Sequence, residues 1–163
     1  LHFMLEDDLD NESVGEEDRG YLESGKRYLD RYVQEIYRAE FRVWSERHGC
    51  AGTLDLLGLH QDGGVCIWDW KSGQVDDVRA DLQLGAYLGF ALEMATTDRD
   101  LGDELRRHGP VVKRRAVRLF RDGRIGREYL FTDPRDFTHF LNALSLVHDQ
   151  GRRPLAMDWD SER

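Results

Sequence analysis

Two apolar segments, 52–60 and 65–71, constrain the fold of this chain most strongly. They read GTLDLLGLH and VCIWDWK, and the QDGG stretch between them is typical of a tight hairpin turn. We therefore predict two antiparallel strands. Asp69 and Lys71 lie inside the second strand, although burying an ionised side chain costs several kcal/mol unless it is paired or binds a metal.

The pairing of these strands decides what the charged residues can do. Asp69 and Lys71 share a face because side chains alternate along a strand. Asp55, on the first strand, faces Asp69 only if paired residues are mirrored about residue 62. That register requires a loop with an odd number of residues or a compensating bulge, which the glycines of HQDGG permit.

Two facing aspartates repel each other unless a cation lies between them. Ligands that are all oxygen suit Mg²⁺ or Mn²⁺ better than zinc, and Lys71 could hold a water or a phosphate oxygen beside such a metal. This pattern predicts metal-assisted hydrolysis of a phosphodiester. The alternative is a structural Asp69–Lys71 salt bridge, with Asp55 capping a turn.

The remaining periodicity predicts one α/β domain over residues 1–150, with a mixed central sheet flanked by helices. Residues 151–163 show little pattern and are expected to form an edge or a disordered tail. The expected elements are helices over 1–9, 21–40 and 78–95, strands over 41–46, 52–60, 65–71, 111–120 and 127–131, and a last helix starting at Asp133–Pro134. Asp76 or Asp77 is expected to cap the third helix, and 98–109 to be a polar connection. The buried stripe of the last helix is predicted to be Phe137, Phe140, Leu141, Leu144 and Val147.

Charge and cysteine content narrow the class of protein. The net charge is −9, which does not by itself favour a nucleic-acid partner, but residues 106–127 contain nine Lys or Arg and a single acid. That segment is either a solvated hairpin face or a surface that meets phosphates. Cys50 and Cys66 are predicted to be buried thiols, since two cysteines cannot ligate a zinc or an iron–sulfur cluster. No apolar run is long enough for a membrane span, and we expect a cytoplasmic protein without a membrane partner.

Taken in order, GTLD, DWK and QLGAY resemble the motifs of the PD-(D/E)XK nuclease superfamily, and most closely its RecB-like exonuclease branch, which includes phage recombination nucleases. The family order is a histidine on an early helix, an aspartate after a glycine, a D/E-X-K strand and a Q-x-x-x-Y helix. The matching positions are His2, Asp55, Asp69 with Lys71, and Gln83 with Tyr87. The resemblance implies a restriction-endonuclease-like core.

The resemblance also implies a role for each residue. Asp55 and Asp69 would bind Mg²⁺ or Mn²⁺, with the Trp70 carbonyl, His2 and Glu40 as further ligands. The alternative role of Glu40 is to hold the Lys71 amine, and Glu40 is preferred to Glu46, which falls near a turn. Lys71 would orient or deprotonate the attacking water or stabilise the transition state, and Gln83 and Tyr87 would brace the site or touch DNA. Trp68 and Trp70 are expected to be core or site walls, with stacking on DNA as the alternative.

We therefore expect a metal-dependent DNA exonuclease of recombination or repair, of phage origin and without an iron–sulfur cluster. The alternatives are a structure-specific endonuclease on the same fold and a non-catalytic DNA-binding or assembly module.

Overall fold

The computed structural model describes residues 14–150, with five strands and four helices. The strands are β1 (Val33–Ser45), β2 (Cys50–His60), β3 (Val65–Lys71), β4 (Lys113–Arg118) and β5 (Arg127–Phe131). The helices are α1 (Glu16–Tyr32), α2 (Asp77–Met94), α3 (Arg99–Arg106) and α4 (Asp136–Gln150). The expected helix over 1–9 and the tail 151–163 lie outside the described residues.

The strands form one sheet in the order β1-β2-β3-β4-β5. Strands β1, β2 and β3 form an antiparallel meander, β4 lies parallel to β3, and β5 pairs antiparallel with β4. The parallel pair needs a long crossover, which α2 and α3 provide. The predicted mixed α/β sheet flanked by helices is therefore confirmed.

The β2–β3 hairpin has the register that places Asp55 opposite Asp69. Leu56 pairs with Trp68 and Leu59 with Val65, so paired residues are mirrored about residue 62. The turn is a three-residue loop, 61–63, closed by the bond from the His60 N–H to the Gly64 carbonyl. Gly63 has a φ of 81°, a conformation that glycine adopts without strain.

Two apolar clusters cover the two faces of the sheet. The α2 cluster contains Leu57, Ile67, Leu84 and Phe90 and receives Phe137 and Phe140 from α4; the α1 cluster contains Tyr28, Leu56, Trp68 and Val117. Each large side chain that is fully buried contributes about 1.5–3 kcal/mol of transfer free energy. The site strand β3 is thus held between helices on both sides.

The expected helix over 21–40 is wrong in its second half. Helix α1 ends at Tyr32, and Val33 begins a 13-residue strand. The segment VQEIYRAE has apolar residues that also fit helical spacing, but it pairs along β2, from Val33 opposite His60 to Ala39 opposite Leu56. Tertiary pairing overrides the local pattern because an otherwise open edge of β2 would leave its backbone groups without partners.

Two further expectations need correction. The expected polar connection 98–109 contains helix α3, which the Asp98 side chain caps by accepting from the Leu101 N–H, and Leu101 and Leu105 are buried beneath it. Helix α4 starts at Asp136 rather than at Asp133–Pro134. The predicted stripe of α4 is only half-buried at Phe137, Phe140, Leu141 and Leu144, and Val147 is 66% exposed.

The structure also shows the burial of the two cysteines, the residue that caps α2 and the character of the helices. Cys66 is buried as predicted, whereas Cys50 is only half-buried, because it opens β2 beside the β1–β2 turn. Asp76 caps α2 by accepting from the Arg79 N–H. Among the helices of residues 14–150, none is long and apolar enough to cross a membrane.

Candidate active site

A chain of polar contacts links the end of β3 to helix α2. The Lys71 ammonium lies 2.6 Å from Oδ2 of Asp69 and donates to Oε1 of Gln83 at 2.8 Å. Nε2 of Gln83 then donates to the Tyr87 hydroxyl at 2.8 Å. Alternation on β3 puts Asp69 and Lys71 on one face, and four-residue spacing puts Gln83 and Tyr87 on one face of α2. The fold thus brings four of the predicted residues into direct contact.

Asp55 joins this chain through the backbone. Its Oδ2 accepts a hydrogen bond of 2.6 Å from the Trp70 N–H, in the peptide group that joins Asp69 to Trp70. The resemblance implies the Trp70 carbonyl as a metal ligand, and this role stays a prediction. The contact observed is a separate one, from the N–H of the same residue, and it orients Asp55. The sequence cannot predict this hydrogen bond, because any residue at position 70 except proline has the backbone N–H that donates it.

The pKa values of both aspartates are raised. Burial raises the pKa of Asp55 to about 6, helped by the charges of Asp69 and Glu40 and opposed by the Trp70 N–H and by Lys71. Burial also raises the pKa of Asp69, against the lowering effect of Lys71. Asp55 is half-buried and Asp69 is buried, and the negative charge of Asp69 disfavours the charged form of Asp55. A cation nearby would stabilise the charged form of both carboxylates.

The Tyr87 hydroxyl is positioned to donate. Burial raises its pKa, the charges of Asp69 and Asp55 act in the same direction, and the bond from Gln83 opposes them. The phenol therefore keeps its proton at neutral pH, and since its oxygen accepts from Gln83, that proton is available to another acceptor. Gly52 makes room for the ring: a Cβ at this position would lie 2.4 Å from Cε1 of Tyr87.

Glu40 lies beside Asp55 in a strained conformation. Residues 39 and 41 of β1 pair with Leu56 and Leu54, which places Glu40 opposite Asp55. Glu40 has a φ of 47°, and no other non-glycine residue in the described part of the chain has a positive φ. Such a conformation costs of order 1–3 kcal/mol and concentrates at functional sites.

The strain at Glu40 accompanies a change of face in both strands. Ala39 packs with the α1 cluster and Phe41 with the α2 cluster, although residues two apart on a regular strand share a face. Leu56 and Leu54 on β2 are divided in the same way. Glu40 and Asp55 therefore sit where the alternation reverses.

Of the two tryptophans and His2, the structure describes only the tryptophans. Trp68 is fully buried and donates from Nε1 to the Tyr28 hydroxyl, so it belongs to the core. Trp70 is half-buried and packs edge-on against Tyr28 at 5.7 Å between ring centroids, so its ring belongs to the α1 cluster, on the face of the sheet opposite Asp69 and Lys71. His2 lies outside the described residues.

The donors at this site suit Mg²⁺ better than a metal that needs a complete protein cage. Within residues 14–150 no three His, Cys, Asp or Glu side chains are grouped closely enough to hold a metal by themselves. Mg²⁺ is commonly bound by one or two carboxylates, several waters and substrate phosphates, which Asp55 and Asp69 can provide for. The residues present therefore fit a hydrated Mg²⁺ or Mn²⁺.

The fold and the site together define a class of protein. Two carboxylates and a lysine meet at the end of a central strand, an arrangement suited to hydrolysis of phosphate esters with a divalent cation. The family model of the PD-(D/E)XK nuclease superfamily matches residues 3–147. The chain belongs to this superfamily, and its sheet and helices are consistent with a restriction-endonuclease-like fold.

Membership indicates a nuclease. Members of the superfamily are generally phosphodiesterases that act on nucleic acids and typically use Mg²⁺ or Mn²⁺. A comparison with curated proteins gave no match.

Proposed function

We propose that this protein is a Mg²⁺- or Mn²⁺-dependent DNA exonuclease of the RecB-like branch, acting in the cytoplasm in recombination or repair, in the manner of phage recombination nucleases. The observation that carries the proposal is the unbroken contact chain Asp69–Lys71–Gln83–Tyr87. It gives the Q-x-x-x-Y residues, which are typical of that branch, a direct connection to the D-x-K strand.

Asp55 and Asp69 would hold the cation, with Glu40, the Trp70 carbonyl and His2 as further candidates. The cation supplies positive charge that neutralises the phosphate and makes a water easier to deprotonate. The peptide of Trp70 fixes one oxygen of Asp55 and leaves the other for the ion. This division of labour keeps the carboxylate in one orientation before substrate arrives.

Lys71 has a donor to spare. An ammonium has three N–H groups, and contacts with Asp69 and Gln83 use two of them. The third can donate to the attacking water or to a phosphate oxygen. Held by two partners, the ammonium opposes the negative charge that develops on the phosphate without having to reorganise.

Gln83 fixes the donor and acceptor directions in the hydrogen bonds from Lys71 to Tyr87. Its carbonyl faces Lys71, so its amide must face Tyr87, and the Tyr87 proton is directed away from Gln83. We assign this phenol to a phosphate oxygen of the substrate. Gln83 acts through its neighbours and is a positioning residue.

Incubation of the protein with linear and closed circular DNA, with Mg²⁺ or with EDTA, tests the proposal. We expect Mg²⁺-dependent loss of linear DNA and no cutting of circles. Cutting of circles would replace the exonuclease by an endonuclease, and intact DNA in every condition would support a non-catalytic DNA-binding module.

Lys71→Ala separates chemistry from binding. We expect cleavage of linear DNA to fall by roughly 10²- to 10⁴-fold, the range for one acid–base or electrostatic group, while DNA affinity falls far less. Lys113→Ala is the matched control, because Lys113 lies on the neighbouring strand and pairs with Asp62 away from the site. Native cleavage rates in Lys71→Ala would reduce this lysine to a structural ion-pair partner.

A further inference from the structure

The structure divides the basic segment 106–127 into two groups. Six of its nine cationic side chains lie within 4.0 Å of a carboxylate: Arg106, Arg107, Lys113, Arg114, Arg115 and Arg124. Arg114 is buried together with its partner Asp136, and Arg115 is buried against the partly exposed Asp62 and Glu128. Within residues 14–150, no ion pair within 4.0 Å is formed by Arg118, Arg121 or Arg127. Ion pairs within the protein account for the six cations of the first group, but not for the three cations of the second group.

Arg118 and Arg127 lie in line with the active-site lysine. In the parallel pair β3–β4, Lys71 is opposite Arg118, and in the antiparallel pair β4–β5, Arg118 is opposite Arg127. Residues opposite each other on neighbouring strands point to the same face, and each step across the sheet is about 4.8 Å. The three cations therefore form a row that starts at the site and runs about 10 Å towards β5.

This row is unfavourable without an anion. Lys71 is compensated by Asp69, but Arg118 and Arg127 are like charges directly opposite each other, an arrangement that destabilises a sheet. The Nε of Arg118 is also buried and makes no hydrogen bond to the part of the chain described. A buried donor without a partner costs free energy, which adds to the unfavourable charge of the row.

Aromatic rings hold both guanidinium groups in place. The Arg118 guanidinium lies 5.2 Å from the centre of the Phe120 ring, and that of Arg127 lies 5.2 Å from the Tyr129 ring. Stacked arginines keep their N–H groups in a fixed plane, which is the geometry for bidentate contact with a phosphate. The Phe120 N–H is itself anchored to Oγ of Ser24 on α1.

We propose that Arg118 and Arg127 together bind a backbone phosphate of the DNA strand next to the phosphate that is cleaved. The proposal that this DNA strand is being cleaved rests on the proposed function. The proposal that the arginine pair binds a nucleic-acid phosphate rests only on the row of cations. Arg118, which is partly exposed, contributes the guanidinium that lies over Phe120, and Arg127, which is exposed, reaches the same phosphate from β5.

The test compares Arg127→Gln and Arg118→Gln with Arg99→Gln, an arginine on α3 whose side chain is 92% exposed. Binding of a short fluorescein-labelled DNA duplex is measured in EDTA by fluorescence anisotropy over a range of salt concentrations. Losing one phosphate contact should reduce the slope of log affinity against log salt by about 0.9 and weaken binding about eightfold at 0.1 M salt. Arg99→Gln should bind with the native slope.

Thermal unfolding distinguishes a ligand site from structure. Arg127→Gln relieves the repulsion with Arg118, so its melting temperature should equal or exceed that of the native protein. A lower melting temperature together with a native salt slope would make the pair structural and overturn the proposal, as would a native slope in both variants or no DNA binding by the native protein. Because Arg127 is exposed, its variant decides the question even if Arg118→Gln does not fold.

The outcome is independent of the nuclease assay. If the native protein binds DNA through this pair but cleaves nothing with any divalent metal, the phosphate site stands and the nuclease proposal fails. If cleavage is observed and both variants bind and cleave as the native protein does, the nuclease proposal stands and the arginine pair is refuted.

Discussion

Replacing Asp55 by Asn should stabilise the protein in the absence of metal. The asparagine side-chain oxygen can still accept the Trp70 N–H, so the hydrogen bond that orients the side chain is kept. What disappears is a charge that burial, Asp69 and Glu40 all disfavour. The substitution thus removes the free-energy cost of a buried negative charge and keeps the orientation of the side chain.

The pKa of Asp55 sets the size and the pH range of this effect. The folded-state pKa is about 6, against an ordinary value of 3.8. A carboxyl whose pKa is raised by folding has no penalty below the ordinary value, a growing penalty between the two values, and the full penalty above the folded one. At 1.36 kcal/mol for each pH unit, the full penalty is about 3 kcal/mol.

Urea unfolding at pH 8 and at pH 4 measures this penalty. In EDTA we expect Asp55→Asn to exceed the native protein by up to about 3 kcal/mol at pH 8 and by little at pH 4. Saturating Mg²⁺ should narrow or reverse the difference at pH 8, because it stabilises only the native carboxylate. An Asp55→Asn protein that is less stable at pH 8 in EDTA would refute the idea that this aspartate is held in a costly charged state.

Three further changes test the site by other routes. Mg²⁺ at a hundred times its dissociation constant should stabilise the native protein by about 2.7 kcal/mol and Asp69→Asn much less; equal stabilisation in thermal unfolding would indicate nonspecific binding. Glu40→Gly should raise the unfolding free energy by up to about 1 kcal/mol, because glycine accepts a φ of 47° without strain, and should weaken Mg²⁺ binding measured by calorimetry; Glu40→Gln, which keeps the strain, should show only the weaker binding. Gly52→Ala should displace the Tyr87 ring and slow cleavage roughly 10- to 10²-fold; in a Tyr87→Ala background it should have no further effect, and an additive loss would contradict the assignment.

Much of the fold could be predicted because local signals agreed with the tertiary structure. The QDGG turn and the apolar strands around it favour the β2–β3 register, which places Leu57 beside Ile67 on one face and Leu56 beside Trp68 on the other. Helix α2 begins at a clear cap and places Gln83 and Tyr87 one turn apart. Position along a strand and along a helix was therefore enough to bring the polar residues together.

The missed features depend on contacts between distant segments. The first half of β1 has helical spacing, and only its pairing with β2 makes it a strand. The positive φ of Glu40 and the change of face beside it arise from both strands at once, so neither segment shows them alone. The bond from the Trp70 N–H to Asp55 is invisible to residue identity, and the row of cations from Lys71 to Arg127 follows from the parallel pairing of β3 with β4.

The placement of β4 also determines the order in which the molecule can be built. Strands β1, β2 and β3 are consecutive hairpins, whose short loops close at little entropic cost, so the carboxylates of the site can assemble as soon as this meander forms. Strand β4 reaches β3 only after the chain has continued through α2 and α3 to Lys113. During synthesis from the N-terminus, Asp55 and Asp69 are therefore placed before Arg118 and Arg127 exist. A chain still emerging from the ribosome would have the acidic half of its site but lack the cations of β4 and β5, and it would gain its hold on a DNA strand only when the last hairpin docks.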